Sequence, residues 1–148
     1  EVINTPSMLC VEDVLWALRW VEEIGGTKAM AARTAKSFAH IEAWVKKTPW
    51  IDFLASDPAV RSPTSVCLIY RDPDYLALPP QGRADFANRV FALLDQERVA
   101  LDANAYKDAP PGLRIWCGAT VDPQNVADVL PWIEWAYATV KAEMLVPA

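Results

Sequence analysis

From Met8 to Val21, apolar residues recur at three- and four-residue spacing: Met8, Val11, Leu15, Leu18 and Val21. That spacing draws one apolar stripe along a helix. Thr5-Pro6 marks the start, since Thr caps well and Pro is favoured at the first helical position, where its missing N–H is not needed. Gly25-Gly26 marks the end. A second helix is predicted from Thr27 to about Lys47, with Met30, Phe38, Ile41 and Val45 inward and Lys46-Lys47 at its negative dipole end. Pro49 stops it.

Beyond Pro49 the period changes. Trp50 to Leu54 is a short apolar segment, Ser56 to Pro63 is rich in turn residues, and Thr64 to Tyr70 reads as a strand. Asp72 to Gly82 holds Pro73, Pro79, Pro80 and Gly82 and predicts a loop. Phe86, Val90, Leu93 and Leu94 mark a third helix, and Val99–Leu101 and Leu113–Cys117 are predicted strands around the Pro110-Pro111-Gly112 loop. Asp122-Pro123 repeats the cap-and-proline start, and Val126, Val129, Leu130, Ile133, Ala136 and Val140 form the last amphipathic stretch, which Pro131 is expected to kink or split. The order is helix, helix, strand, strand, helix, strand, strand, helix. It predicts one α+β or open α/β domain over residues 1–148: a small, mostly antiparallel sheet with helices packed on one face.

Charge and composition then narrow the chemistry. Fourteen basic against 19 acidic residues leave a net charge of -5, which argues against a nucleic-acid surface. No apolar run approaches the roughly 18 residues of a membrane span, and no secretory pattern opens the chain, so a soluble, cytoplasmic protein is expected. The start at Glu1, a few residues before a helix signal, predicts a segment of something longer. Cys10, Cys67 and Cys117 are too far apart for a metal or redox motif and are expected as buried free thiols. His40, the single histidine, lies mid-helix without a nucleophile elbow, and no phosphate-cradling glycine loop is present. Glu12-Asp13 and Glu22-Glu23 are adjacent pairs that do not share a helix face, so no metal site is expected. Trp16, Trp20, Trp132 and Trp135 fall at helical spacing and are expected in a core or an interface.

Two features reach beyond packing. Asn4-Thr5-Pro6-Ser7 opens a helix whose free N–H groups and positive dipole end form a natural anion site; simple capping explains the same residues. Arg114 interrupts the apolar strand Leu113–Cys117. An arginine there either grips a ligand carboxylate with two parallel hydrogen bonds or pairs with a structural Asp.

Asn4-Thr5-Pro6-Ser7-Met8-Leu9, Ile24-Gly25-Gly26, the segment Thr48 to Leu54, Arg61-Ser62 with Thr64 to Leu68, and Asp108 to Trp116 occur in an order that resembles phosphoserine aminotransferase. The resemblance covers essentially the whole chain and points to the class V branch of fold-type I pyridoxal-phosphate enzymes. It implies the small C-terminal domain of an aspartate-aminotransferase-like fold. It also implies transamination between glutamate and 3-phosphohydroxypyruvate in serine biosynthesis, pyridoxal 5'-phosphate as cofactor, and a homodimer. By position, Asn4 and Thr5 would meet the cofactor phosphate of the neighbouring subunit and Arg114 the substrate α-carboxylate. Family members carry a His-Arg pair shortly before that arginine, whereas this chain has Tyr106-Lys107-Asp108, which leaves Lys107 unassigned. The Schiff-base lysine belongs to the large domain of the family. None of Lys28, Lys36, Lys46, Lys47, Lys107 or Lys141 lies in its motif, so no residue here is expected to be catalytic and the isolated chain is expected to be inactive. Another class V transaminase, of serine–pyruvate or alanine–glyoxylate type, and a standalone binding domain are the alternatives.

Overall fold

The computed structural model describes Thr5 and residues 7–144. Helix α1 (Met8–Glu23) is capped by Ser7, whose Oγ accepts the Cys10 N–H at 3.5 Å, so the helix starts two residues beyond the Thr5-Pro6 signal. It turns directly into α2 (Gly26–Val45) through Gly25 and Gly26, whose φ angles of 106° and 74° lie in the left-handed region open to glycine. Strand β1 (Ile51–Phe53) follows, then a 3₁₀ turn at Pro58–Val60 and β2 (Ser65–Tyr70). Helices α3 (Pro73–Ala77) and α4 (Pro80–Gln96) fill the stretch expected as a loop. Pro73 and Pro80 each sit in a first helical turn, with Asp72 capping α3, so these prolines start helices where the sequence reading made them breakers. Strand β3 (Gly112–Trp116) and helix α5 (Pro123–Met144) complete the chain.

The strands form one antiparallel sheet in the order β1-β2-β3. Alternation sends Ile51 and Phe53, Val66, Leu68 and Tyr70, and Leu113 and Ile115 to one face, where they meet Ile41 of α2, Phe86, Val90 and Leu94 of α4, and Ile133 and Val140 of α5. Each large side chain removed from water there contributes about 1.5–3 kcal/mol. The expected α+β class, with helices on one sheet face, is thus observed. Trp44 of α2 donates Nε1–H to Glu134 of α5 at 2.7 Å, joining two helices of that layer.

Several expectations change. Val99–Leu101 forms no strand; only Asn104 bridges to Leu113. Helix α5 runs unbroken through the exposed Pro131. None of the residues of α1 is buried: along its apolar stripe Met8 and Leu18 are more than half exposed, Val11 and Leu15 just under 40% and Val21 half-buried, while Leu9 and Trp16, off the stripe, are more than 70% exposed. Among the described residues its only substantial packing is against α2. Trp132 and Trp135 form an edge-to-face pair on the surface of α5 and do not enter the core. Cys117 is buried, which pushes its thiol up to about 11, but Cys67 is half-buried and Cys10 exposed.

Gly112 shows why β3 begins where it does. A Cβ there would lie 2.1 Å from the Leu68 carbonyl oxygen on the paired strand, so only glycine allows this approach. Gly112→Ala is expected to destabilise the domain by about 1–3 kcal/mol, the cost of forcing atoms into a packed site. A denaturant midpoint equal to wild type would contradict that approach.

Candidate functional site

Strand β3 lies at the edge of the sheet, and period-two alternation turns Arg114 onto the face opposite the helices, beside its cross-strand partner Cys67. The outer edge of β3 is covered by the preceding segment: Arg114 donates its backbone N–H to Ala103 O at 2.8 Å, and Asn104 bridges to Leu113. This places Asp102 and Tyr106 around one guanidinium. Arg114 Nη2 donates to Asp102 Oδ2 at 2.8 Å, and its Cζ lies 4.5 Å from the centre of the Tyr106 ring. The Arg114 side chain is 13% exposed, that of Asp102 83%. Arg114 Nε is shielded from solvent and has no hydrogen-bond partner. The hydrogen bond to Asp102, opposed by burial and aided by that carboxylate's charge, raises the guanidinium pKa above its ordinary value.

A cavity of about 500 Å³ opens beside this group, between residues 99–103 and the first turns of α5. Asp102, Arg114, Trp116, Asn125 and Val129 contribute to its wall. A fixed cation in a largely apolar recess is suited to a small anionic ligand, above all a carboxylate. Lys107 is exposed and lines a separate recess of about 220 Å³ with Asn88, Asn104 and Tyr106, apart from the Arg114 cavity.

At the other predicted site, Thr5 is exposed ahead of α1, a helix with no acidic residue in its first turn; Asn4 lies outside the described residues. The exposed threonine hydroxyl and that helix start suit a phosphate oxygen. They do not adjoin a lysine placed for carbonyl chemistry: Lys28, Lys36, Lys46, Lys47 and Lys107 are exposed on the surface, and Lys141 is tied to Asp72 and Asp74. His40 is half-buried on α2, and the carboxylates of Glu12, Asp13, Glu22 and Glu23 are exposed. Among the described residues no group of three His, Cys, Asp or Glu side chains could hold a metal ion, and no helix is long and apolar enough to cross a membrane.

A phosphoserine aminotransferase of Methanosarcina mazei is 43% identical over 145 residues, and one of Methanosarcina barkeri 45% identical over 141. Each match covers 95% of this chain. The chain is homologous to phosphoserine aminotransferase. It spans about 35% of the length of these relatives. No family model matches it. The solved phosphoserine aminotransferase of Bacillus circulans subsp. alkalophilus superposes with a TM-score of 0.75 over 92% of this chain and 34% of that one, at 16% identity. A second phosphoserine aminotransferase structure, from a study of radiation damage to the Schiff base, gives 0.73 at 15% identity. At that identity the structural matches establish the shared fold, while the Methanosarcina sequences establish the relationship.

The sequence reading singled out Arg114 and missed its two neighbours. Asp102 and Tyr106 lie 12 and 8 positions upstream in an irregular segment, and no periodicity aligns such residues with a strand. A turn-forming Asp-Ala-Asn run at 102–104, set after the apolar Val99–Leu101, was the available signal that this stretch bends instead of continuing as a strand.

Proposed function

We propose that this chain is the small C-terminal domain of a pyridoxal-phosphate-dependent phosphoserine aminotransferase, moving an amino group between glutamate and 3-phosphohydroxypyruvate. The observation that carries the reading is the 43–45% identity to phosphoserine aminotransferases across 95% of the chain. In this reading Arg114 binds the α-carboxylate of each substrate. Its position on a strand fixes the backbone, and the contact with the Tyr106 ring restrains the guanidinium, so the carboxylate is oriented by a cation that does not itself need to move. Asn4 and Thr5 hold the cofactor phosphate of the neighbouring subunit, ahead of α1, where N–H groups and the helix dipole favour an anion. The exposed Thr5 hydroxyl and the first turn without acidic residues support that assignment. Pyridoxal phosphate, when bound, supplies the electron sink that amino transfer requires.

The chain leaves the remaining chemistry to the rest of the aminotransferase. The exposed apolar face of α1, directly after the proposed phosphate contact, is the surface assigned to that remainder or to the partner subunit of a homodimer, since a stripe of this size in water marks an interaction site. A cytoplasmic enzyme is the matching setting. Steady-state assays of the full-length protein are expected to show turnover of phosphoserine with 2-oxoglutarate, with kcat/KM at least about 100-fold above that for alanine, because a site built for a charged group discriminates by several kcal/mol against its absence. Equal turnover of alanine would assign the chain to another class V transaminase.

A further inference from the structure

Resting on the reading of Arg114 as the carboxylate ligand, we propose that Asp102 is a placeholder for the substrate carboxylate, occupying half of the arginine's binding edge and swinging away when substrate arrives. A guanidinium presents Nε–H and Nη2–H side by side, in the spacing of two carboxylate oxygens. Asp102 fills one position only: Oδ2 accepts from Nη2 at 2.8 Å, while Nε stays buried with no acceptor. A buried N–H left unpaired is costly. An incoming carboxylate that takes both positions therefore does more than replace the ion pair, since it also satisfies the orphaned Nε.

The surroundings favour that exchange. Asp102 is 83% exposed and Arg114 is the one hydrogen-bond partner of its side chain among the described residues, so releasing it into water is cheap. The Arg114 Cζ lies over the Tyr106 ring, 4.5 Å from its centre, a contact that does not use an N–H hydrogen-bonding position and can hold the guanidinium while its acceptor changes. The cavity of about 500 Å³ includes both Asp102 and Arg114 in its wall, which gives the ligand a route to the edge that Asp102 covers. Asp102 thereby sets a threshold: a ligand enters only if its own carboxylate outcompetes the resident one, and a neutral amide does not.

The test compares Asp102→Asn, Asp102→Ala and Arg114→Ala in the full-length holoenzyme, by calorimetric titration with O-phospho-L-serine and with its carboxamide, and by steady-state kinetics. Removing the competitor is expected to lower both Kd and KM for O-phospho-L-serine about 2- to 5-fold in each Asp102 variant, the range of one exposed ion pair. Carboxamide binding is expected not to improve. A raised Kd in the Asp102 variants would overturn the proposal and make Asp102 a brace that holds Arg114 in place. So would an equal gain for the carboxamide. If Arg114→Ala leaves the Kd for O-phospho-L-serine unchanged, the carboxylate reading beneath the proposal fails instead.

Discussion

Under the proposed function, Arg114→Ala in the full-length protein is expected to lower kcat/KM for phosphoserine by about 100- to 1,000-fold, the effect of truncating one partner of a desolvated charge pair. The domain itself should stay folded. The partner released on the protein side is Asp102, which is already 83% exposed and returns to water without leaving a buried charge. The folding cost is therefore expected to stay within about 2 kcal/mol, mostly the lost packing of a side chain that is 13% exposed. That separation of activity from stability distinguishes a ligand-binding arginine from a structural one. Arg114→Lys should recover only part of the loss, because an ammonium keeps the charge but not the paired N–H groups. Kinetics and a melting curve on the same preparation decide the matter: an Arg114→Ala enzyme within about 3-fold of wild type, or one that melts as activity falls, would remove Arg114 from substrate binding.

The asymmetry between what was readable in the sequence and what was not follows from locality. Strand β2 and helices α2 and α5 announce themselves by period, because neighbours in sequence share a face and that face is the core. Arg114 was visible for the converse reason, a charge at a position where strand alternation gives apolar residues before and after it. The same logic says less about α1. An apolar stripe states that a surface seeks cover, not which chain provides it, and here Met8 and Leu18 of the stripe stay more than half exposed. Prolines misled the reading between Asp72 and Gly82, although Asp72-Pro73 carries the same cap signature that correctly marked Asp122-Pro123. Asp102 and Tyr106 could not be paired with Arg114 from spacing, because an irregular segment reaches the strand edge by a path that no period encodes.

The most consequential polar cluster outside the proposed site is also the least local. Asp72 lies 65 positions from Tyr137 and 69 from Lys141, and both donate to its Oδ2, while its Oδ1 accepts the Asp74 N–H at 2.9 Å and so caps α3. Lys141 also lies 3.4 Å from Asp74, and the Tyr137 ring stacks on Trp50 at 3.7 Å. One carboxylate thus joins the end of β2, the start of α3 and the last turns of α5. Asp72→Ala is expected to cost about 3 kcal/mol, because it leaves a buried phenol and a partly buried ammonium without their acceptor and removes a helix cap. Asp72→Asn keeps the cap and should cost less.

The pH dependence of the wild-type advantage over Asp72→Asn gives a second signature. Burial pushes the Asp72 carboxyl upward, but the hydrogen bonds from Lys141, Tyr137 and the Asp74 N–H, with the charge of Lys141, outweigh it and hold the group below its ordinary 3.8. A lowered folded pKa contributes stability that is present above the unfolded value and lost as pH falls through the folded one. Lys141 behaves oppositely: its hydrogen bond to Asp72, against some desolvation, raises it above 10.5, so its contribution is complete below that value and disappears as pH rises through the raised one. The stability difference between wild type and Asp72→Asn is therefore expected to be level from about pH 5 to pH 9 and to shrink at both extremes. Chemical denaturation of the two proteins across that range measures it, and a difference that stays constant down to pH 2.5 would show that the Asp72 charge does not hold α5 to α3.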